Sequence, residues 1–449
     1  MPGRINWRES VDILAWGPDP LAGKGRPLVL SVEDALSTTT PEPGSVWHNR
    51  DYLLLWSGQT VSAIGSQFTE FVIPLLVLAL TNSPAQAGLV GALQGVPYLI
   101  LGLPAGALVD RWNRKVVMIV CDSGRAVNVL TVPVALAIGH LSMTQLYVVA
   151  LVEGTFFVFF NVAEVASLVR VVGPDQLPGA IARQETTWGI SALIGPAAAG
   201  ALYQAVSAAL PFLVDACSYL VSALSLSRIR TQFQADRSAS TGTLWSDMRD
   251  ALLWLWRQPL LRFVALITAL GDFLFSGIGL IPLVIARQQM HAPPVTIGFI
   301  FTLAAVGGIL GSSIAGWVQR RVTFGPALIV TEWMLVLLYP LLAIAPNPIA
   351  LGLVRTAMSG TVSVSNTVRL SYQLGCIPDS LQGRVNSLTT LLAYGSLPIG
   401  QALTGILLQS IGPTRTILAI TVCLAVSAAA VTLNSRVRRA SVLHARSEV

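Results

Sequence analysis

From residue 52 to residue 434 the chain is a succession of apolar stretches about twenty residues long, parted by short polar turns. Few folds tolerate that pattern. A helix needs roughly 20 apolar residues to cross a hydrocarbon core of about 30 Å, whereas a membrane β-barrel would show ~10-residue segments of alternating polarity. No such alternation is present. Only 11% of the 449 residues are charged and the mean hydropathy is +0.67, against about a quarter charged in a soluble domain. A surface with so few charges has to face lipid. The sequence therefore predicts an all-α integral membrane protein in contact with the lipid bilayer.

Turn residues between the apolar runs place twelve transmembrane helices. Six lie near 52–80, 86–109, 115–139, 143–169, 181–205 and 209–227, and six near 260–286, 294–318, 324–345, 347–371, 386–410 and 414–434. They divide the chain into a polar tail over 1–47, a six-helix bundle over 48–227, a polar central loop over 228–259, a second bundle over 260–435 and a short tail over 436–449. The first tail has no apolar run of signal-peptide length and is expected to be a flexible, uncleaved extension.

Loop cations are asymmetric. One side collects Arg111, Arg114 and Lys115, then Arg183, the cluster from Arg228 to Arg257, Arg320, Arg321, Arg384, Arg436, Arg438 and Arg439; the other has only Arg287 and Arg415 near its edges. Short basic loops stay cytoplasmic. Both termini are expected there, in a multi-pass protein of the plasma membrane. Orientation also explains the net charge of +6 without any nucleic-acid partner.

The two halves echo each other. GPDQLPGAIARQ (173–184) after the fourth span matches IPDSLQGRVNSL (377–388) after the tenth, AGALVDR (105–111) matches AGWVQRR (315–321), and IPLLVLAL (73–80) matches IPLVIARQ (281–288). A duplicated six-helix unit, giving two pseudo-symmetric bundles with a site at their interface, is a transporter design.

One turn stands apart. GALVDRWNRK (106–115) sets Asp110 before Arg111, Arg114 and Lys115. The cations hold the loop in the cytoplasm, and an aspartate at a helix end can accept hydrogen bonds from arginines or from a neighbouring helix N-terminus. Orientation alone and an added latch both fit. The stretch resembles the signature G-x-L-x-D-R-x-G-R-K of the major facilitator superfamily, with Asn113 where the signature has glycine. Asparagine tolerates the left-handed conformation. Gly102 and Gly106 form a small pair suited to close helix packing.

The resemblance covers about residues 48–435. PFLVDACSYLVSAL (211–224) and PDSLQGRVNSL (378–388) resemble the branch of enterobactin exporters and macrolide efflux proteins. GISALIGPAAAG (189–200), with Gly195, Pro196 and Gly200, resembles the antiporter motif G-x-x-x-G-P-x-x-G-G, though its glycine spacing is imperfect. What the resemblance implies is alternating access by two rocking halves. Gly106, Asp110, Arg111, Arg114 and Lys115 would form a cytoplasmic gate that closes in the outward-open state.

The resemblance also implies that spans 1, 4, 7 and 10 line a central cavity. Each carries a polar stripe at helical spacing: Gln59, Ser62, Ser66 and Glu70; Glu153, Asn161 and Glu164 with Phe157; Thr268, Asp272 and Ser276; Arg355, Ser359, Ser363 and Asn366. An ionisable residue at membrane depth costs at least ~2.5–3.5 kcal/mol and is a functional candidate. Asp272 is the first candidate for a proton carrier, with cation binding and helix packing as its other readings. Glu70 and Glu153 follow. Glu153 and Arg355, at comparable depths, are expected to pair across the cavity as a switch, a substrate contact or a structural bond.

Other groups read as structure. Asp122 and Arg125 can bond along one helix face, Asp215 makes a structural hydrogen bond, Glu332 reaches water or a loop arginine, and of Phe156, Phe157, Phe159 and Phe160 some face lipid while one or two could supply an apolar cargo surface. Cys121, Cys217, Cys376 and Cys423 read as small buried hydrophobes, with no spacing for a metal. No nucleotide-binding loop, metal cluster or nucleophile–base set appears, so neither a cofactor nor an enzyme is expected. The expected function is export of a small amphiphilic molecule (a drug, antibiotic or siderophore) in exchange for protons, by a monomer. An importer of the same fold and a non-transporting scaffold or sensor are the alternatives.

Overall fold

The computed structural model describes residues 49–234 and 244–440. The expected tail over 1–47 and the last residues of the C-terminal tail lie outside the described residues. Among those described, every regular element is a helix. In chain order they are α1 Arg50–Thr81, α2 Pro84–Val109, α3 Arg114–Ala137, α4 Met143–Val171, α5 Leu177–Ala205, α6 Leu210–Arg228, α7 Leu244–Arg257 and α8 Pro259–Gln289. Then come α9 Pro294–Arg321, α10 Phe324–Ile344, α11 Pro348–Cys376, α12 Asp379–Leu433 and α13 Ser435–Arg438.

Local sequence sets the helix starts. Asn49, Ser83, Asn113, Ser142 and Asn347 each accept a hydrogen bond from a backbone N–H of the first turn, satisfying donors that a helix start leaves open. Proline opens α2, α8, α9 and α11, where its missing N–H costs nothing. Inside α8, Pro282 cannot donate to the preceding turn. That helix carries a 3₁₀ turn at Ser276–Ile278 and a π turn at Ile285–Gln289 on either side of it.

Nine helical stretches among the described residues are long and apolar enough to cross a membrane. The 29-residue helices α5 and α11 match them in length but are more polar. The outer surfaces of the nine stretches carry large apolar side chains: Ile100 of α2, Val127 of α3, and Leu337 and Ile344 of α10 are each more than 60% exposed, as lipid contact requires.

Spans 11 and 12, numbered together as α12, are two helices that meet at a kink at Gly412, whose φ of 80° only glycine adopts without strain. One segment differs from the sequence expectation. The central loop contains α7, whose Leu252, Leu253 and Trp256 recur at helical spacing and are exposed, while Leu255 is buried beside Leu261, Ile377, Val385 and Leu388. Its interspersed charges hid that periodicity.

Packing differs between the two ends of the molecule. The end bearing Asp110–Asn113 is called here the basic face. Toward the opposite face, one apolar core runs through both halves of the chain, joining Phe71, Val72 and Ile73 of α1 to Ile281 of α8, Ile297 of α9 and Leu408 of α12. Toward the basic face the core divides. Tyr52, Val109, Met118, Phe160 and Leu226 form one cluster, while Val264, Phe324, Val368 and Val431 form another.

Glycines along the two seams follow the same division. On α2, a Cβ added to Gly88 would lie 2.7 Å from the Gln401 carbonyl oxygen of α12, and one on Gly95 would lie 2.7 Å from Pro398. Gly106, nearer the basic face, has nothing within 4 Å, and Gly102 meets only its own helix's Tyr98. On the other seam, Gly200 abuts the Pro294 carbonyl of α9 and Gly298 abuts that of Pro196, whereas Gly189 and Gly316 face open space. The halves are closed against each other at the opposite face and parted at the basic face.

Candidate functional site

Between the parted halves lies a cavity of about 820 Å³. Gln59, Ser66 and Glu70 of α1 line it, as do Glu153, Phe157 and Asn161 of α4. Gln94 and Tyr98 of α2, Gln184, Glu185 and Trp188 of α5, and Tyr394, Pro398 and Gln401 of α12 complete much of the wall. The candidates Thr268, Asp272, Ser276, Arg355, Ser359 and Asn366 are not part of this lining. The structure thus gathers the candidates from spans 1 and 4 around one cavity and leaves those from spans 7 and 10 outside it.

A buried network forms the cavity's polar wall. Arg125 of α3 donates from Nε to Oε1 of Glu153 at 2.5 Å, and the Tyr219 hydroxyl of α6 donates to the same oxygen at 2.8 Å. Ser66 Oγ and the Tyr219 hydroxyl share a further hydrogen bond of 2.9 Å. The Arg125 guanidinium stands 4.2 Å from the centre of the Tyr219 ring, a favourable cation–π placement. Glu153 is 2% exposed, and its second oxygen has no hydrogen-bond partner. Helical spacing carried the face and depth of each group, but four different helices had to meet before Arg125 and Tyr219 joined Glu153.

The expected Glu153–Arg355 pair is therefore corrected. Glu153 is held by Arg125, and Arg355 has no acidic partner among the described residues. Arg125 does not bond Asp122 either; Asp122 is fully buried, with neither carboxylate oxygen in a hydrogen bond. Helix-face spacing permits an i,i+3 bond, but the Glu153 carboxylate on α4 takes the guanidinium.

Other acids surround this network. Glu70 accepts from Gln67 at 3.1 Å, and Glu164 from Gln184 at 2.9 Å. Asp215 is fully buried and accepts from Thr69 of α1 and from Ser218, a structural bonding of the kind expected of it. Four carboxyl groups and one guanidinium line the cavity, and Asp122 and Asp215 are buried behind them. None of Phe156, Phe157, Phe159 and Phe160 is fully exposed: Phe157 and Phe160 line the cavity, Phe156 lies against Gly124 and Phe159 stacks on Trp112. Cys121 is buried, but Cys217 and Cys423 are exposed on the outer helix surfaces, where a small thiol suits an apolar surround as well as a core does.

Among the remaining candidates, Asp272 is partly exposed on α8, within electrostatic reach of Arg369. Arg369 is itself paired with Glu332 of α10. Glu332 is 4% exposed, so its partner is an intramembrane arginine instead of water or a loop. Ser276 fills the contact with Gly400 of α12, Ser359 faces Gly308 of α9, the Thr268 hydroxyl is buried without a partner, and Asn366 is exposed.

The GALVDRWNRK turn takes a different role in this conformation. Asp110 accepts from Arg114 at 2.9 Å, four residues on, and its side chain is 69% exposed. It does not reach the other half. Arg111 is exposed. Lys115 Nζ donates to the Ser227 and Ile229 carbonyls at the end of α6, and Arg114 Nη1 to those of Ala166 and Phe233. Lys115 thereby satisfies carbonyls left open at the C-terminus of α6. Asp51 completes the clamp, accepting from the Arg230 and Thr231 backbone N–H groups and the Thr231 hydroxyl. Asn113 has φ −71° and caps α3, so its value here is the N-cap oxygen, and no left-handed residue is required. Gly195 seats on the Gln67 side chain of α1; with Pro196 and Gly200 it forms the tight part of the α5 contacts.

Helices parted around a buried, charge-bearing cavity on one face and sealed on the other define a membrane transporter. Residues 55–328, more than half of the chain, match the sequence profile of the Major Facilitator Superfamily, and the chain belongs to that family. It is 26% identical over 384 residues to a protein named multidrug efflux pump Tap from Mycolicibacterium fortuitum, covering 82% of this chain and 91% of that one. It is 24% identical over 369 residues to macrolide efflux protein A of Streptococcus pyogenes, covering 80% and 90%. The fold matches that of a mutant of the nucleoside transporter NupG with a TM-score of 0.72 at 11% identity, covering 85% and 99%.

Proposed function

We propose that this transporter exports a cationic amphiphile in exchange for protons, and that Glu153 is the group at which the two compete. The observation that carries the proposal is the charge imbalance of the cavity: Arg125 against Glu70, Glu153, Glu164 and Glu185. Glu164 is buried with no cation bonded to it among the described residues, which is costly, and the exposed Glu70 and Glu185 keep the wall net negative, so the cavity favours a proton or a cationic partner. Phe157, Trp188, Tyr98 and Tyr394 supply apolar and π surface for the rest of such a molecule. Two relatives bear efflux names, which supports the direction.

Exchange follows from exclusion at one carboxylate. A proton on the free oxygen of Glu153 weakens its hold on Arg125 and the attraction for a cation; a cation in the cavity disfavours the proton. The halves then rock about the site. In this reading the twelve spans form two six-helix bundles, with α12 supplying the last two, and the basic face is cytoplasmic in a plasma membrane, so the cavity is open inward. A few kcal/mol of differential binding moves the equilibrium between the two openings. Asp272, outside the cavity lining, gives way to Glu153 as the carrier, with Glu70 and Glu164 along the route.

The test is proton movement in everted vesicles holding the full chain, with a panel of cationic and anionic amphiphiles. The expected result is dissipation of the pH gradient by cations through wild type and Asp272→Asn, and loss of the response in Glu153→Gln. A response retained by Glu153→Gln, or one given by anionic compounds alone, overturns the reading.

A further inference from the structure

Among the described residues three arginines are buried at membrane depth: Arg125, Arg369 and Arg355, the last 9% exposed. The first two each hold a carboxylate. Arg355 has none among the described residues, and its Nε is buried without a hydrogen-bond partner. An uncompensated buried guanidinium is among the costliest features a fold can keep. Within its electrostatic reach is Tyr339 of α10, fully buried, whose hydroxyl is likewise buried and unpaired. Two donors are thus left open in one place.

The surroundings define what could satisfy them. The Arg355 guanidinium lies 5.7 Å from the Phe301 ring centre, and Phe275 packs edge-on to Tyr339 at 5.9 Å. Phe301 in turn packs on Phe71 of α1 at 5.4 Å, within the sealed end of the molecule. Arg355 and Tyr339 do not line the large cavity. A guanidinium, a phenol and aromatic walls match the chemistry of a small, weakly hydrated anion. We propose that Arg355 and Tyr339 form a binding site for a halide ion, chloride in the cell, that neutralises α11 while the halves are closed at this end.

The site is separate from the proton–cargo exchange at Glu153 and stands or falls without it. Its test is thermal unfolding of the full-length protein in detergent, titrating chloride against gluconate at constant ionic strength. A ligand that binds only the folded state stabilises it by RT ln(1 + c/Kd) at free concentration c. Wild type is expected to show an unfolding temperature that rises with the logarithm of chloride concentration above Kd. In Tyr339→Phe the apparent affinity should fall about tenfold, the equivalent of one lost hydrogen bond to a charged ligand. Arg355→Gln should show no rise and, in gluconate, should unfold above wild type, because its buried charge is gone. Arg355→Lys keeps the charge and should retain a weaker chloride response, which separates binding from general damage. An absent chloride response in wild type, or an equal one in Arg355→Gln, overturns the proposal.

Discussion

Arg125 on α3 and Glu153 on α4 share a 2.5 Å ion pair at the wall of the cavity, with both side chains less than 10% exposed. Tyr219 and Ser66 extend that pair to α6 and α1. Four helices of the N-terminal half are therefore tied together by the same groups that face the cargo space, so a change of charge at Glu153 is felt by the packing of the whole half.

Removing one member of the pair should be worse than removing both. Glu153→Ala leaves the guanidinium buried alone, at a cost of about 3–5 kcal/mol. The double variant Arg125→Met, Glu153→Leu should recover most of that loss while abolishing exchange. Denaturation of the purified single and double variants checks the coupling; purely additive effects would show that the pair does not hold the bundle.

The glycine seams should control which face is open. A side chain at Gly298 would strike the Pro196 carbonyl, since even a Cβ would come within 2.3 Å. Gly298→Val should wedge the opposite face apart at a cost of about 1–3 kcal/mol and raise thiol labelling of a cysteine placed at Val295. Gly106→Ala meets nothing in this conformation and should leave the labelling unchanged.

The clamp on the segment after α6 should loosen when its anchors go. Asp51→Asn weakens three hydrogen bonds to one charged oxygen, each of a kind worth about 1.5–3 kcal/mol. Limited proteolysis around Arg230 and Thr231 should become several-fold faster in Asp51→Asn and Lys115→Ala. Unchanged cleavage would remove any anchoring role from the GALVDRWNRK cations.

At the bend of α12, Gly412→Ala puts a side chain on a residue with φ 80°. It should lower stability by about 1 kcal/mol, read as a drop in unfolding temperature, with transport otherwise intact.

The candidate site was half legible. Steps of three and four residues on spans 1 and 4 brought Gln59, Ser66, Glu70, Glu153, Phe157 and Asn161 to one cavity, because helical period alone decides which residues share a face. The same logic applied to spans 7 and 10 drew Asp272 and Arg355 toward a cavity they do not line. Their helices pack those faces against neighbours, and nothing within a single span reports how far a helix is rotated. For Arg125, helical spacing offers only Asp122, three residues away, whereas its partner Glu153 lies on another helix.

The sequence by itself determined what depends on local chemistry: a helical membrane chain, its spans, the caps and prolines that start them, the sidedness of its arginines and the turn that marks its family. Only the tertiary structure decided which buried charges meet and which face of the molecule is open. A buried charge demands a partner within hydrogen-bond distance, but distance is set by helix neighbours and rotations that no single stretch encodes. So Glu153 found Arg125, Asp110 stayed with Arg114, and Arg355 was left without an acid.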